Sequence, residues 1–249
     1  MLKISVITAV FNRNQTISQA LDSVLSQTYP LVETILIDGA STDGTLDVLE
    51  SYRSNLGKFI SEPDKGVYDA LNKGISQSTG DVLGFLHADD IFESNDVLSK
   101  VADAFQDPRV DAVYGDLLYV QHDDISKVIR YWRAGHFDKS LLSYGWMPPH
   151  PTFYVRRSVY DRLGNFDTRY RIAADYDTIL RFLGVGKINV VYIPNVLVRM
   201  RAGGISNRSF STVVRKSFED LDVLKRNKVG GIMTLLGKNF SKLSQFWHR

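Results

Sequence analysis

Val82-Leu83-Gly84-Phe85-Leu86-His87-Ala88-Asp89-Asp90 is an apolar run that closes on two adjacent carboxylates. It reads as a buried strand that delivers negative charge to the carboxyl edge of a sheet, where open α/β folds place their ligands. Paired acids in that position call for a cation. Mg²⁺ fits, because it takes one or two carboxylates together with phosphate oxygens of a substrate. The competing reading is that Asp90 begins a loop or caps a helix near Asp96.

The segments before this run alternate in period. Ile4 to Val10 is β-branched, and Ile17, Ala20, Leu21, Val24 and Leu25 follow at helical spacing until Tyr29-Pro30 stops them. Val32 to Ile37 reads as a second strand, ending at Asp38. The polar cluster Gly39-Ala40-Ser41-Thr42-Asp43-Gly44 then turns into a helix through Val48 and Leu49. A short strand at Lys58 to Ile60 runs into Ser61-Glu62-Pro63-Asp64, and Val67, Ala70, Leu71 and Ile75 mark a helix that Gly80 closes. Such alternation predicts βαβ units and a mainly parallel sheet. Right-handed crossovers point parallel strands the same way, so Asp38, Asp64 and Asp89/Asp90 should share one edge and line a polar crevice.

After about Asp111 the pattern changes. Tyr114 to Val120 and Val128 to Trp132 read as strands around the turn His122-Asp123-Asp124, followed by the aromatic, proline-rich stretch Tyr144 to Pro151 and a strand at Thr152 to Arg156. A helix should start near Asp175 to Asp177, and Val190 to Ile193 and Val196 to Met200 predict a last strand pair. No repeat or low-complexity linker separates residues 1–110 from 111–207, so the two halves should form one body, with 208–249 as a helical tail.

Composition narrows the class. At 249 residues, 44% hydrophobic and 23% charged, the chain can bury a full core as one large domain or two intimate subdomains. Its net charge of +2 hides a basic tail: residues 208 to 249 hold nine Lys/Arg against three acids, Glu219, Asp220 and Asp222. The absence of cysteine excludes disulfides, thiolate catalysis and cysteine-ligated zinc. The opening residues read as a strand rather than a signal peptide, and no stretch approaches a membrane span. The expected location is the cytoplasm or the inner face of the cell membrane.

No G-x-x-x-x-G-K-[ST] and no G-x-G-x-x-G after the first strand occurs, which argues against a P-loop and a dinucleotide-binding Rossmann site. The first strand instead enters Phe11-Asn12-Arg13-Asn14. This is not the Gly-rich basic loop of a sugar nucleotidyltransferase. A nucleotide could still use the Asp38 carboxylate and backbone groups at Thr8 to Val10.

Ser5-Val6-Ile7-Thr8-Ala9-Val10-Phe11-Asn12, Ile37 to Thr45, Ser61 to Gly74, His87-Ala88-Asp89-Asp90 and Ala173-Ala174-Asp175-Tyr176-Asp177 resemble the family 2 glycosyltransferases in order and spacing, over roughly residues 1 to 205. The resemblance implies a GT-A fold: a Rossmann-like, mainly parallel central sheet flanked by helices, here with C-terminal helices added. It implies inverting transfer of a sugar from a nucleotide-diphosphate donor, with a preference for uridine, to an acceptor hydroxyl in polysaccharide or glycolipid assembly. Residues 1–110 would then be the donor half and 111–207 the acceptor and catalytic half. Thr8, Ala9, Phe11, Asp38, Asp64, Lys65 and Asp89 would line the donor site, with Asp38 at the base. Asp90 and Asp89 would form the DxD-type motif for Mg²⁺ or Mn²⁺, although His87 stands where the family often has an acid.

The leaving diphosphate gains charge, which a metal offsets, and inversion needs a base on the opposite face of the sugar. By resemblance that base is Asp175, which could at the same time serve as a helix N-cap; Ala174 replaces the other acid of the family's pair. These two departures keep open a non-catalytic nucleotide-sugar-binding protein. His150, among Pro148, Pro149 and Pro151, either approaches the acceptor or braces a loop. Arg199 and Arg201, ahead of Gly203-Gly204-Ile205-Ser206, either reach the diphosphate or lie solvated. Trp132, Trp146 and Tyr144 either stack on sugar or belong to the core. The Q-x-x-R-W motif of processive synthases is absent. In the tail, Ile232, Leu235, Leu236, Phe240, Leu243, Phe246 and Trp247 form an apolar stripe interrupted by Lys238, Lys242 and Arg249. Such a helix either lies on an anionic membrane, favouring a lipid-linked saccharide acceptor, or packs on the body. Without a recognition motif beside the basic tail, nucleic acid is not an expected partner.

Overall fold

The first strand, β1 (Ile4–Val10), is buried along its length because strands flank it on both sides and alternate residues feed opposite faces. Ile7 and Ala9 join one apolar cluster with Ala70, Leu71 and Ile75 of α3 (Val67–Gln77). Ile4 and Val6 pack the other way, with Val24 of α1 (Ile17–Leu25) and Val97, Leu98 and Val101 of α4 (Val97–Ala104). Val10 meets Ile17, Leu21 and Leu49, the last from α2 (Thr45–Tyr52). The computed structural model describes residues 1–203 and 210–244.

The described strands form one sheet. Its order is β3 (Lys58–Ser61), β2 (Val32–Asp38), β1, β4 (Val82–Phe85), β8 (Tyr154–Arg156), β6 (Ala112–Val120), β9 (Val190–Arg201) and β5 (Ile91–Phe92), with β7 (Val128–Trp132) paired to β6. The pairings β1–β2, β1–β4, β2–β3 and β6–β9 are parallel, and β8 is antiparallel to both β4 and β6. Six strands therefore run in one direction, as the alternating segments predict. From β1 the chain moves to β2 and β3 on one side and to β4 on the other. That reversal opens a crevice at the carboxyl edge between β1 and β4.

Two elements differ from the sequence reading. β4 stops at Phe85, and residues 86–90 form a turn in which Asp90 N–H donates to His87 O at 3.0 Å. The expected terminal strand pair is one continuous strand, β9. Its Pro194 is accommodated where the register with β6 slips between Tyr114 and Asp116, since a bulge tolerates a residue that cannot donate to the ladder.

The halves are joined across β4. Tyr154 is fully buried with its ring over Gly84, where an added Cβ would lie 2.1 Å from Cε1. The helices α5 (Arg157–Leu163) and α6 (Ala174–Leu180) follow β8. α7 (Phe210–Arg226) and α8 (Ile232–Ser244) close the described chain, and Val223, Leu224 and Leu235 join the cluster that α6 enters. Trp146 belongs to the same core and donates to Ala134 O. Phe246, Trp247 and Arg249 of the tail stripe lie outside the described residues.

Gly84→Ala should destabilise the protein by about 1–3 kcal/mol, because the Tyr154 ring has nowhere to retreat. Urea denaturation of the two proteins measures the difference.

Candidate active site at the carboxyl edge

The β1–β2 side of the crevice is a pair of knitted loops. β1 runs three residues beyond its last β4 partner, Ile7↔Phe85, while β2 accompanies it to Val10↔Asp38. Thr8 and Ala9 are buried, so what they present at the split is backbone, and Phe11 projects with 55% exposure. Asn12 takes a left-handed conformation (φ 52°), which suits asparagine, and its side chain accepts from Thr42 N–H. Asp38 is wholly buried and accepts from Ser41 N–H, Ser41 Oγ and Ser61 Oγ. The carboxylate expected to meet a base thus shapes the loop, and contact with a base would require Ser41 or Ser61 to exchange partners. Asp64 lies over Gly39, where a Cβ would sit 2.4 Å from Oδ2 and 3.4 Å from the Phe11 ring. Lys65 is exposed beside it, its N–H donating to Asp69.

On the facing side the two acids after β4 divide. Asp89 is a quarter exposed and sits 3.8 Å from Arg13 Nε, across the split from β1. Asp90 turns inward: Oδ1 accepts from Arg201 N–H at 3.3 Å, and Oδ2 is buried without a hydrogen-bond partner. Burial, then the charge of Asp89, push the Asp90 carboxyl well above its ordinary range. A cation between the two carboxylates would relieve that repulsion, and an orphaned buried oxygen is what an oxygen-seeking ion needs. Among the described residues no group of three or more His, Asp or Glu could hold a metal alone. The pair therefore fits an ion that completes its shell from a substrate's phosphates, met at the exposed Asp89 and backed by the orphaned oxygen of Asp90.

Arg201 does not reach toward a diphosphate. It is 5% exposed at the end of β9, where Nε donates to His122 O, one terminal nitrogen to Asp89 O at 2.6 Å and the other to Gln19. A guanidinium whose donors are engaged by backbone carbonyls buttresses the Asp89-Asp90 turn from behind. Arg199 likewise pairs with Glu93 and Ile125 O. Gly204, Ile205 and Ser206 lie outside the described residues.

Asp175 comes to this edge from the second half. Oδ1 lies 3.1 Å from Tyr68 Oη and Oδ2 lies 3.3 Å from His150 Nδ1, leaving the side chain 19% exposed. His150 Nε2 in turn lies 3.0 Å from His87 Nε2. Burial pushes His87 below its ordinary pKa and His150 down to about 4, against the pull of Asp175. Behind this line is a cavity of about 60 Å³ whose apolar walls include Leu71, Phe85, Phe153, Phe166 and Ile179. His150 opens a short 3₁₀ turn that Thr152 fastens by its hydroxyl to Gly115 O and Pro149 O.

Asp175 is in the first turn of α6 but is not its N-cap. Ala173 holds that position, and the N–H groups of Arg171, Ile172 and Ala173 donate to Glu219 of α7. The tail supports the same helix elsewhere: Tyr170 Oη donates to Asp222, and Lys238 of α8 pairs with Asp220 at 2.9 Å with its ammonium over the Tyr176 ring. Sequence reading missed Tyr68, Glu219 and the role of His87. A signal for Glu219 was present, because the basic tail gathers its three acids within residues 219–222, and two of them, Glu219 and Asp222, bond to the body.

The sequence profile of Glycosyl transferase family 2 matches residues 5–172. The chain belongs to glycosyltransferase family 2. The family match stops three residues before Asp175. The chain is 34% identical over 220 residues to a PGL/p-HBAD biosynthesis glycosyltransferase of Mycobacterium bovis, covering 86% of this chain and 81% of that one. An uncharacterized glycosyltransferase of Mycobacterium tuberculosis is 31% identical over 255 residues, covering 98% and 94%. Among solved structures, the mannosyltransferase PcManGT of Pyrobaculum calidifontis, in complex with GDP-Man and Mn²⁺, superposes with a TM-score of 0.70 at 21% identity, covering 99% of this glycosyltransferase and 71% of that chain. Staphylococcus aureus TarS 1-349 with UDP-GlcNAc gives 0.69 at 17% identity, covering 92% and 66%, so this chain spans about two thirds of its length. These superpositions establish the GT-A fold.

Glu219→Ala would leave three N–H groups ahead of α6 without their acceptor. It should cost about 1–3 kcal/mol of stability in urea denaturation.

Proposed function

We propose that this glycosyltransferase is an inverting, metal-dependent enzyme that moves a sugar from a uridine-diphosphate donor to an acceptor hydroxyl, with Asp175 as general base. The observation that carries the reading is the convergence of Asp175, from the second half, with the turn bearing Asp89 on one carboxyl edge. His87, two residues before Asp89, is linked to Asp175 through His150. A base and a leaving-group site within one cleft are what a single displacement requires.

In this reading Phe11, Asp64, Lys65 and the backbone at Thr8 and Ala9 cradle the nucleoside diphosphate. Bound at Asp89 with Asp90, Mg²⁺ or Mn²⁺ would neutralise charge on the departing diphosphate. Asp175 accepts the proton of the acceptor hydroxyl as that oxygen bonds to the anomeric carbon. The bond from that carbon to the diphosphate breaks, and its electron pair leaves with the phosphate oxygen. Tyr68 and His150 hold the carboxylate while the apolar cavity wall limits water behind it.

The acceptor is proposed to be a lipid-linked saccharide at the inner face of the membrane. Supporting this are the exposed apolar residues Ile232, Met233 and Leu236 of α8, and Phe218 of α7 at 70% exposure. The Thr234 and Lys238 side of α8 packs inward, so the two readings of the tail fall on different faces. No helix among the described residues is long and apolar enough to cross a membrane.

Hydrolysis of a panel of UDP-sugars should identify the donor, and Asp175→Asn should abolish turnover while calorimetric UDP binding persists; ordinary turnover in that variant refutes the base. Asp89→Ala should remove the Mn²⁺-dependent part of UDP binding in the same calorimeter. Phosphatidylglycerol vesicles should co-sediment the full chain and release a Leu236→Asp, Phe218→Asp double variant.

A further inference from the structure

The three side chains at the end of the crevice constrain one another's protons. His150 Nδ1 lies 3.3 Å from Asp175 Oδ2 as an ion-pair contact rather than an aligned hydrogen bond, and a bare ring nitrogen would set its lone pair against the carboxylate at that range, so the ring carries its hydrogen on Nδ1. A neutral imidazole that donates through Nδ1 has a bare Nε2. The 3.0 Å contact between the two Nε2 atoms then requires His87 to be the donor. Each link leaves a single arrangement for the next: His87 Nε2–H to His150 Nε2, and His150 Nδ1–H to Asp175 Oδ2.

We propose that His150 is the positioning residue for Asp175, holding Oδ2 by its Nδ1–H, and that His87 holds His150 in the tautomer this needs. The inference rests on the proposed role of Asp175 as base. His87 is the residue on which this arrangement turns. A carboxylate there would accept from His150 Nε2 and draw the proton to the wrong side of the ring. The His150 turn is already rigid, since prolines precede and follow it and Thr152 ties it to β6, so the ring needs only a second contact to be fixed. Tyr68 shares its hydroxyl proton between Ile172 O and Asp175 Oδ1. With the Tyr68 hydroxyl on one oxygen and the His150 ring against the other, a fifth of the side chain stays exposed.

Nuclear magnetic resonance of ¹⁵N-histidine-labelled protein tests the proton placement without any substrate. His150 is expected as the Nδ1–H form and His87 as the Nε2–H form; His150 found as Nε2–H overturns the proposal. Substitutions then separate positioning from packing. Asn at 150 can still donate near the Nδ1 position, whereas Leu fills the space and donates nothing. His150→Asn should keep most of kcat for the donor hydrolysed fastest in the UDP-sugar panel. His150→Leu should lose about tenfold to a hundredfold in kcat with donor KM unchanged, within what general base catalysis supplies. His87→Gln, which retains a donor, should outperform His87→Leu. The reverse order at either residue, with Leu the better tolerated, would make the pair mere packing. Turnover retained by Asp175→Asn would sink the base assignment alone, because the tautomers are read independently of it.

Discussion

Tyr154 can lie across β4 only because residue 84 carries no side chain, and the rest of the structure follows from that contact. It seats β8 against β4 in antiparallel register, Leu83↔Val155, and so fuses the parallel half to the mixed half. In such a register, residues following one strand face residues preceding the other. Counting out from Leu83↔Val155 brings position 87 opposite the turn at 150–152, which is where the two histidines meet. A contact inside the core thus fixes the geometry of a polar contact at its edge.

The same edge carries an unusual concentration of acids, and the fold manages each differently. Asp38 accepts hydrogen bonds from Ser41 in its loop and from Ser61 of β3, Asp64 rests over a glycine, and Asp89 faces Arg13. Asp90 alone keeps a buried oxygen without a partner. Because the Arg201 guanidinium supports this turn through carbonyls, and only its backbone N–H meets Asp90 Oδ1, the other oxygens of the acid pair are left to a ligand.

Much of this was legible in the sequence where the determinants were local. The β-branched runs, the helix-spaced apolar residues and the acids at strand ends specified the parallel half and its ligand edge, because each signal sits within one element. Chemistry carried across elements was not. Arg201 reads as a cation beside a glycine-rich loop, yet its partners are carbonyls at 89 and 122 and a glutamine in α1. Asp175 reads as a possible cap, yet Ala173 holds that position and Glu219 of α7 takes the N–H groups ahead of the helix. β9 reads as two strands because proline signals an interruption, and only the slipped register with β6 shows how the ladder absorbs it. His150 kept two readings open, acceptor or loop brace; the structure shows its turn fastened to β6 and its ring on Asp175.

The helix bearing Asp175 begins where the family match ends, and the acids that seat it are contributed by the C-terminal tail. A terminal segment beyond the family match invites exchange when chimeras are assembled from related transferases. Here a graft after residue 203 would replace the foundation of α6 along with the surface, so residues 1–203 of this chain would travel well only with their own terminus.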